Sequence, residues 1–395
     1  MHNKYYILII IFLISCREGV EYRVQSEYLT LPITARPIDS FSLDEPIGLY
    51  LLNEGNMGSN KAMIDYVDFS KGCYVQSLYT EQNPSVVKEL GDVGNDIQIY
   101  GNRLYAVING SHKVEVMDAR TCVRIGQIDI PNARYIKFHK DYAYISSYSN
   151  PIGMNPNAQL GSIYEIDTST LQINRTVAVG FQPEEMEIAE GYIYCANSGG
   201  YMKPDYDNTV SIVELSNLRQ INKIPVAVNL HHILKDRYNK LWVSARGDYE
   251  QTPSCVCVLE QIGNKNDYTV TDTLPIPCTK MALHGDSLYY FSVSWSETKG
   301  QNDINYGILD VRTKKIISDG FITDGSESDI ETPYGLAINP YNGDIYVTDA
   351  KNYVSSGKLH CYNKYGKLKW LVWTRDIPAH IVFVYKDNKK IYVGD

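Results

Sequence analysis

Two adjacent carboxylates, Glu184-Glu185, and two adjacent histidines, His231-His232, are the residues of this chain best suited to chemistry. A carboxylate pair can divide acid and base roles, and imidazole is a frequent metal ligand. Neighbours on an extended strand point to opposite sides, however, so Glu184 and Glu185 cannot readily serve one substrate atom. For His232, a hydrogen-bonded histidine at the rim of a site is the plainer reading. Asp96, Glu185, Asp349 and Asn197 would offer oxygen ligands to a Ca²⁺ ion if the fold gathered them. Seven cysteines follow Cys16 (Cys73, Cys122, Cys195, Cys255, Cys257, Cys278 and Cys361), and an odd number cannot all pair. Cys255 and Cys257 share one strand face but lack the further ligands, at set spacing, that a thiolate metal site needs. They read as small buried apolar residues. Cys73 and Cys122 follow equivalent turns, which leaves a bridge between them open. No GxSxG, HExxH, P-loop or dinucleotide fingerprint occurs. The expectation is a protein that binds rather than catalyses, with no metal or cofactor of its own.

Composition narrows the ligand classes. The chain has 395 residues and a formal net charge of −9, with no basic run. Nucleic acid requires a positive field to displace counterions, so that partner is not expected. Tyrosine is strongly over-represented, 33 Tyr against 8 Phe. Its ring packs while its hydroxyl seeks water or a partner, which suits half-exposed strands and binding surfaces. Residues 1–15 read as a secretory signal: Lys4, an apolar run from Ile7 to Ile14, then Leu13-Ile14-Ser15-Cys16. The apolar run is too short to span a bilayer. Leu-Ile-Ser-Cys matches the lipobox, which makes Cys16 the lipidated first residue of the mature chain. The charges at Arg17-Glu18 and Glu21 resemble the surface-export signals of Bacteroidetes lipoproteins. Residues 16–44 read as lipid anchor and tether, and 45–395 as one folded unit.

The elements that must position these side chains recur. Second-strand copies are GLYLLNEG (48–55), RLYAVIN (103–109), YAYISSY (142–148), YIYCANS (192–198), KLWVSAR (240–246), SLYYFSV (287–293) and DIYVTDA (344–350). From Leu104 onward they step by 39, 50, 48, 47 and 57 residues. Seven third strands follow them, each alternating apolar and polar and ending near Asp, Glu or Asn, as in VEVMD (114–118) and SIYEID (162–167). No helical periodicity of structural length appears. Seven units of this size predict an all-β, seven-bladed β-propeller with four antiparallel strands per blade. A β-sandwich offers no reason for seven related units. The copy at 48–55 has no innermost strand before it, while 377–393 looks like an innermost strand without outer ones. The N- and C-termini are therefore expected to share one blade, with residues 391–393 left over.

In a propeller, two sets of loops rim one mouth of the central channel. Counting along the repeat places Asn95, Asp96, Arg134, Tyr135, Glu184, His231, His232, Thr279, Lys280, Tyr334 and His380 where chains enter innermost strands. The loops between second and third strands, among them 199–208, 247–254, 294–303 and 351–357, are long and carry Tyr201, Tyr249, Trp295 and Tyr353, with Tyr148, Asn197, Arg246 and Asp349 at the strand ends that lead into such loops. Loops longer than a hairpin requires are more often functional. Aromatic walls with a few convergent polar groups make a ligand site.

LLNEGNMGSN (51–60), GNDIQIYGNRLYAVIN (94–109), YAYISSYSNP (142–151), YCANSGGY (194–201), LWVSARGDY (241–249), TPYGLAINPYNGDIYVTDAKNYVSSG (332–357) and DIPAH (376–380) carry a resemblance. Nearly the whole chain after residue 45 resembles the YncE-like propeller lipoproteins of Bacteroidetes, and more narrowly their cobalamin-binding surface lipoproteins. The resemblance implies an outer-membrane, cell-surface protein that captures a corrinoid (vitamin B12) and passes it to a TonB-dependent transporter. Arg134, Arg246 or Lys280 would then meet the phosphate of the ligand. Two other readings suit the same residues. One is a propeller whose Tyr/Trp rim stacks on a glycan or a protein partner; the other is a metal-dependent, lactonase-type enzyme.

Overall fold

The computed structural model describes residues 27–86, 90–149, 158–263 and 267–388. The signal at 1–15, Cys16 and the residues after 388 lie outside them. Seven antiparallel sheets are arranged in a ring, as the repeat predicts. Blade 1 is built from Gly48–Asn53, Met63–Asp68 and Cys73–Val75, with Pro378–Val384 from the far end of the chain as its innermost strand. Leu52 pairs with His380 and Gly48 with Val384 in that closing ladder. The innermost strands of blades 2 to 7 are Gly94–Tyr100, Ala133–His139, Pro183–Ala189, Leu230–Lys235, Lys280–His284 and Pro333–Ile338. Each touches the next, and Pro333–Ile338 touches Pro378–Val384, so the ring is complete.

Blade-to-blade burial holds the ring together. Leu49 and Leu51 face Tyr346, Leu359 and Cys361 of blade 7. Tyr50 and Leu52, one residue out of phase, face Ile97, Leu104 and Ala106 of blade 2. Period-two alternation thus assigns each side chain of a middle strand to one of two interfaces. Both faces are apolar because neither meets water, at roughly 25 cal/mol for each Å² removed.

Turns explain two features of the repeat. In most blades the Asp or Asn at the end of the third strand caps the next turn: Asp118 Oδ1 accepts from the Arg120 and Thr121 amides at 3.0 and 2.9 Å. Asp167 does the same for Ser169 and Thr170, and Asn363 accepts from Tyr365. A short side chain that hydrogen-bonds two residues ahead offers the backbone a ready turn. The hairpins between first and second strands need a left-handed residue, which is Gly101 in blade 2 (φ 58°) and Lys140 in blade 3 (φ 53°).

The structure departs from the sequence reading in three places. Tyr28–Thr30, inside the segment read as tether, adds a fifth strand to blade 1 against Cys73–Val75. Leu31 and Phe41 beyond it are buried. Three residues are too few for alternation to stand out. In blade 6 the second and third strands run on as one long hairpin, Ser287–Ser296 with Gln301–Asp310, where an open loop was expected at 294–303. A five-residue helix, Leu78–Gln82, leads out of blade 1. All seven described cysteines are free, Cys73 and Cys122 included.

Candidate functional site at the propeller mouth

Strand ends and loops of all seven blades converge on a cavity of about 630 Å³ at one end of the channel. Blade 1 supplies Glu54, Asn56, Met57 and His380, blade 2 Asn95 and Asn109, and blade 3 Arg134 and Tyr135. Tyr201 comes from blade 4, His231, His232, Arg246 and Tyr249 from blade 5, Lys280, Ser292 and Asn305 from blade 6, and Tyr334 from blade 7. A second cavity of about 360 Å³ lies deeper, lined by Asp96, Glu185 and Glu187. Tyr135, His232, Lys280, Ala379 and His380 border both and form the floor between them.

Two buried ion networks fix the floor. Glu184, 1% exposed, accepts from Arg134 at 2.8 and 3.1 Å and from the Tyr148 hydroxyl at 2.6 Å, with Arg246 at 3.4 Å. The Arg134 guanidinium also lies over the Tyr148 ring. Burial would raise the Glu184 carboxyl, but Arg134, Arg246 and Tyr148 together hold it below the usual range. Glu185 points the other way and accepts from His232 Nδ1 at 2.8 Å, with Lys137 at 4.0 Å. Burial opposes its charge, yet the His232 contact, Lys137 and Lys280 bring it down to about 2. His232 is driven down to about 4, by burial first and then by Lys280. The ring is therefore neutral at pH 7, with its proton on Nδ1 facing Glu185. Its Nε2 is buried without a partner among the described residues. His231 is neutral for the same reason, burial, reinforced by Arg246. The Tyr135 hydroxyl, pushed far up by burial, stays protonated and shares a hydrogen bond with His231 Nε2 at 3.1 Å.

The residues singled out from the sequence divide into three groups. Asn95, Arg134, Tyr135, Tyr201, His232, Arg246, Tyr249, Tyr334 and His380 line the mouth. Glu184 and Tyr148 sit behind Arg134 in a side recess of about 340 Å³, and Asp96 lies under the floor. Tyr353 backs the wall, its ring edge-on to Tyr334 at 5.9 Å. Three are placed elsewhere. Asn197 is consumed inside its blade by Thr209, Ser211 and the Gly180 amide. Asp349 caps the Thr332 and Lys351 amides. Trp295, 65% exposed, stands on the extended hairpin of blade 6, which carries it away from the cavity. Asp96, Glu185, Asp349 and Asn197 therefore form no common oxygen cage. No cluster of three or more His, Cys, Asp or Glu with metal-holding geometry exists among the described residues.

Glu54, Asn56 and Asn305 line the mouth without having been singled out. Glu54 accepts from the Tyr334 hydroxyl at 2.9 Å and contacts His380 Nε2 at 3.1 Å. Its signal was its place at the end of a second strand, beside Asn53. His231 and Lys280 fell within the rim count and prove to be central to it.

The fold and this mouth define a seven-bladed β-propeller with an axial cavity. More particularly, residues 47–370 match the model of the family described as domain of unknown function DUF5074, and the chain belongs to that family. Similar solved structures include a quinoprotein alcohol dehydrogenase-like protein from Bacteroides thetaiotaomicron, at 16% identity and TM-score 0.57, covering 86% of this chain and 78% of that one. A protein described as a hypothetical selenium-binding protein from Sulfolobus tokodaii aligns at 11% identity and TM-score 0.59, over 86% and 93% of the two chains. These likenesses show the shared propeller fold. A search of functionally curated proteins gives no match.

Proposed function

We propose that this protein is a cell-surface lipoprotein that captures a corrinoid across the propeller mouth and hands it to a TonB-dependent outer-membrane transporter, without catalysing a reaction. The observation that carries the reading is the composition of one axial cavity to which all seven blades contribute. A corrinoid is a wide, flat macrocycle edged with amides and carrying a phosphate tail. Tyr201, Tyr249, Tyr334 and Met57 offer it apolar contact, and Asn56, Asn109, Ser292 and Asn305 offer donors and acceptors for edge amides. Asn109 Oδ1 is buried and has no partner among the described residues.

The rim is also preorganised. Arg134 is locked by Glu184, His232 by Glu185 and Tyr334 by Glu54. Side chains already held in place lose little entropy on binding, which favours high affinity. Lipidation at Cys16, surface exposure and the transporter partner rest on the lipobox and on the resemblance to cobalamin-binding lipoproteins.

The test is titration of the soluble propeller with cyanocobalamin, followed by gel filtration. Comigration of visible corrinoid absorbance with the protein is expected. Absence of comigration, with binding on a glycan array instead, would replace this reading by the glycan one.

A further inference from the structure

The mouth cavity holds more positive charge than its walls neutralise. Three cations line it, Arg134, Arg246 and Lys280, against one carboxylate, Glu54. Glu54 is engaged by Tyr334 and His380, and Arg134 is engaged by Glu184 through two nitrogens. Arg246 reaches Glu184 through one nitrogen only, at 3.4 Å. Lys280 Nζ has no hydrogen bond or ion pair among the described residues. Both cations lie within electrostatic reach of the tilted pair His231-His232, whose ring centroids are 3.7 Å apart. His232 is 3% exposed, and its Nε2 is the unpartnered atom at the floor. The nearest carboxylates, Glu184 and Glu185, are already shared with Arg134, Tyr148, His232 and Lys137, and partly buried cations short of counter-charge are costly unless a ligand supplies it. Here they persist in a chain whose net charge is −9.

We propose that Arg246 and Lys280, which line the mouth together with His231 and His232, form an anion subsite that takes the phosphoryl group of the ligand. The guanidinium fork pairs with two oxygens of one group, whereas the ammonium acts as a point charge. The two non-bridging oxygens of a phosphodiester have lone pairs enough to accept from the guanidinium and the ammonium together. Arg134 is excluded from this role because Glu184 already occupies its fork. Applied to a corrinoid, the subsite rests on the reading above and receives the phosphodiester of the nucleotide tail.

The experiment compares cyanocobalamin with dicyanocobinamide, which lacks that phosphodiester, by calorimetric titration of the wild type, Lys280→Gln, Arg246→Gln and Lys280→Arg. Lys280→Gln and Arg246→Gln are each expected to weaken cyanocobalamin by about tenfold or more, the loss of one charge-assisted bond, and cobinamide by no more than about twofold. Lys280→Arg, which keeps the charge, is expected to retain cyanocobalamin binding. Equal weakening of both ligands, or of neither, in proteins with unchanged melting temperature overturns the subsite. Inorganic pyrophosphate supplies a second arm that needs no corrinoid. It should raise the melting temperature of the wild type but not of the Lys280→Gln/Arg246→Gln double variant. If no corrinoid binds while pyrophosphate protects, the corrinoid reading falls and the subsite stands. If pyrophosphate protects neither protein, the subsite falls.

Discussion

His232 shows how a single side chain ties the site to the stability of the molecule. Its ring is clamped by Glu185, and burial and Lys280 bring its pKa from 6.5 down to about 4. Between those two values the unfolded chain binds a proton that the folded chain refuses, so stability rises with pH across that window. Stated for acidification, the contribution is whole above pH 6.5 and is withdrawn as pH falls toward 4. Glu185, ionised down to about pH 2, adds a loss of the same sign below the ordinary carboxylate range. His360, buried in blade 7 and also brought down to about 4, first by burial, acts in the same direction. The expected result is a fall in unfolding free energy between pH 7 and pH 4, of which about 3 kcal/mol comes from His232. His232→Gln should flatten that part of the curve, and denaturant titrations at a series of pH values will show it. A variant as acid-sensitive as the wild type would refute the assignment. In sequence, His231-His232 read as a rim pair. The direction of each ring was not legible, because it is set by Glu185 and Tyr135 on other blades.

At the scale of the element, the repeat was readable because every middle strand has two apolar interfaces and most third strands end in a turn-capping Asp or Asn. Boundaries went astray where an element has no internal pattern to announce it. The added strand Tyr28–Thr30 is too short for alternation, and the blade 6 hairpin continues through polar residues. The consequence for the site is direct, since that hairpin removes Trp295 from the mouth. The seam between blades 7 and 1 makes its own demand on sequence. A Cβ on Gly335 would sit 2.1 Å from the Ala379 carbonyl oxygen, and one on Gly357 would sit 2.4 Å from the Pro378 ring. Both glycines let the closing strand approach. Gly335→Ala is expected to cost about 1–3 kcal/mol by forcing that strand away, measured as a lowered denaturation midpoint. An unchanged midpoint would show that the seam can relax.

For the whole molecule, closure is the decisive property. Pro378–Val384 covers Gly48–Asn53, whose six residues are all buried. Removing it would leave a long apolar edge strand beside blade 2, a ready template for aggregation. A chain ending at Ile377 is therefore expected to lose cooperative thermal unfolding and to leave the monomer peak in gel filtration. Retention of a sharp transition would mean that the six complete blades suffice. Closure also makes the mouth, since His380 and Glu54, 326 positions apart, meet only because the two ends share a sheet.

The sequence by itself determined the all-β class, the seven repeats, the shared first blade and most of the mouth, because period-two burial and turn chemistry are local and recur. Tertiary structure alone decided which polar residues are free to act. Asn197 and Asp349 read as ligands, yet Asn197 is held inside its blade and Asp349 uses Oδ1 to cap backbone amides. Arg134 read as a free cation and is held by Glu184. Hydrogen-bond partners in a ring come from neighbouring blades roughly fifty residues away. No local pattern records whether such a partner is there.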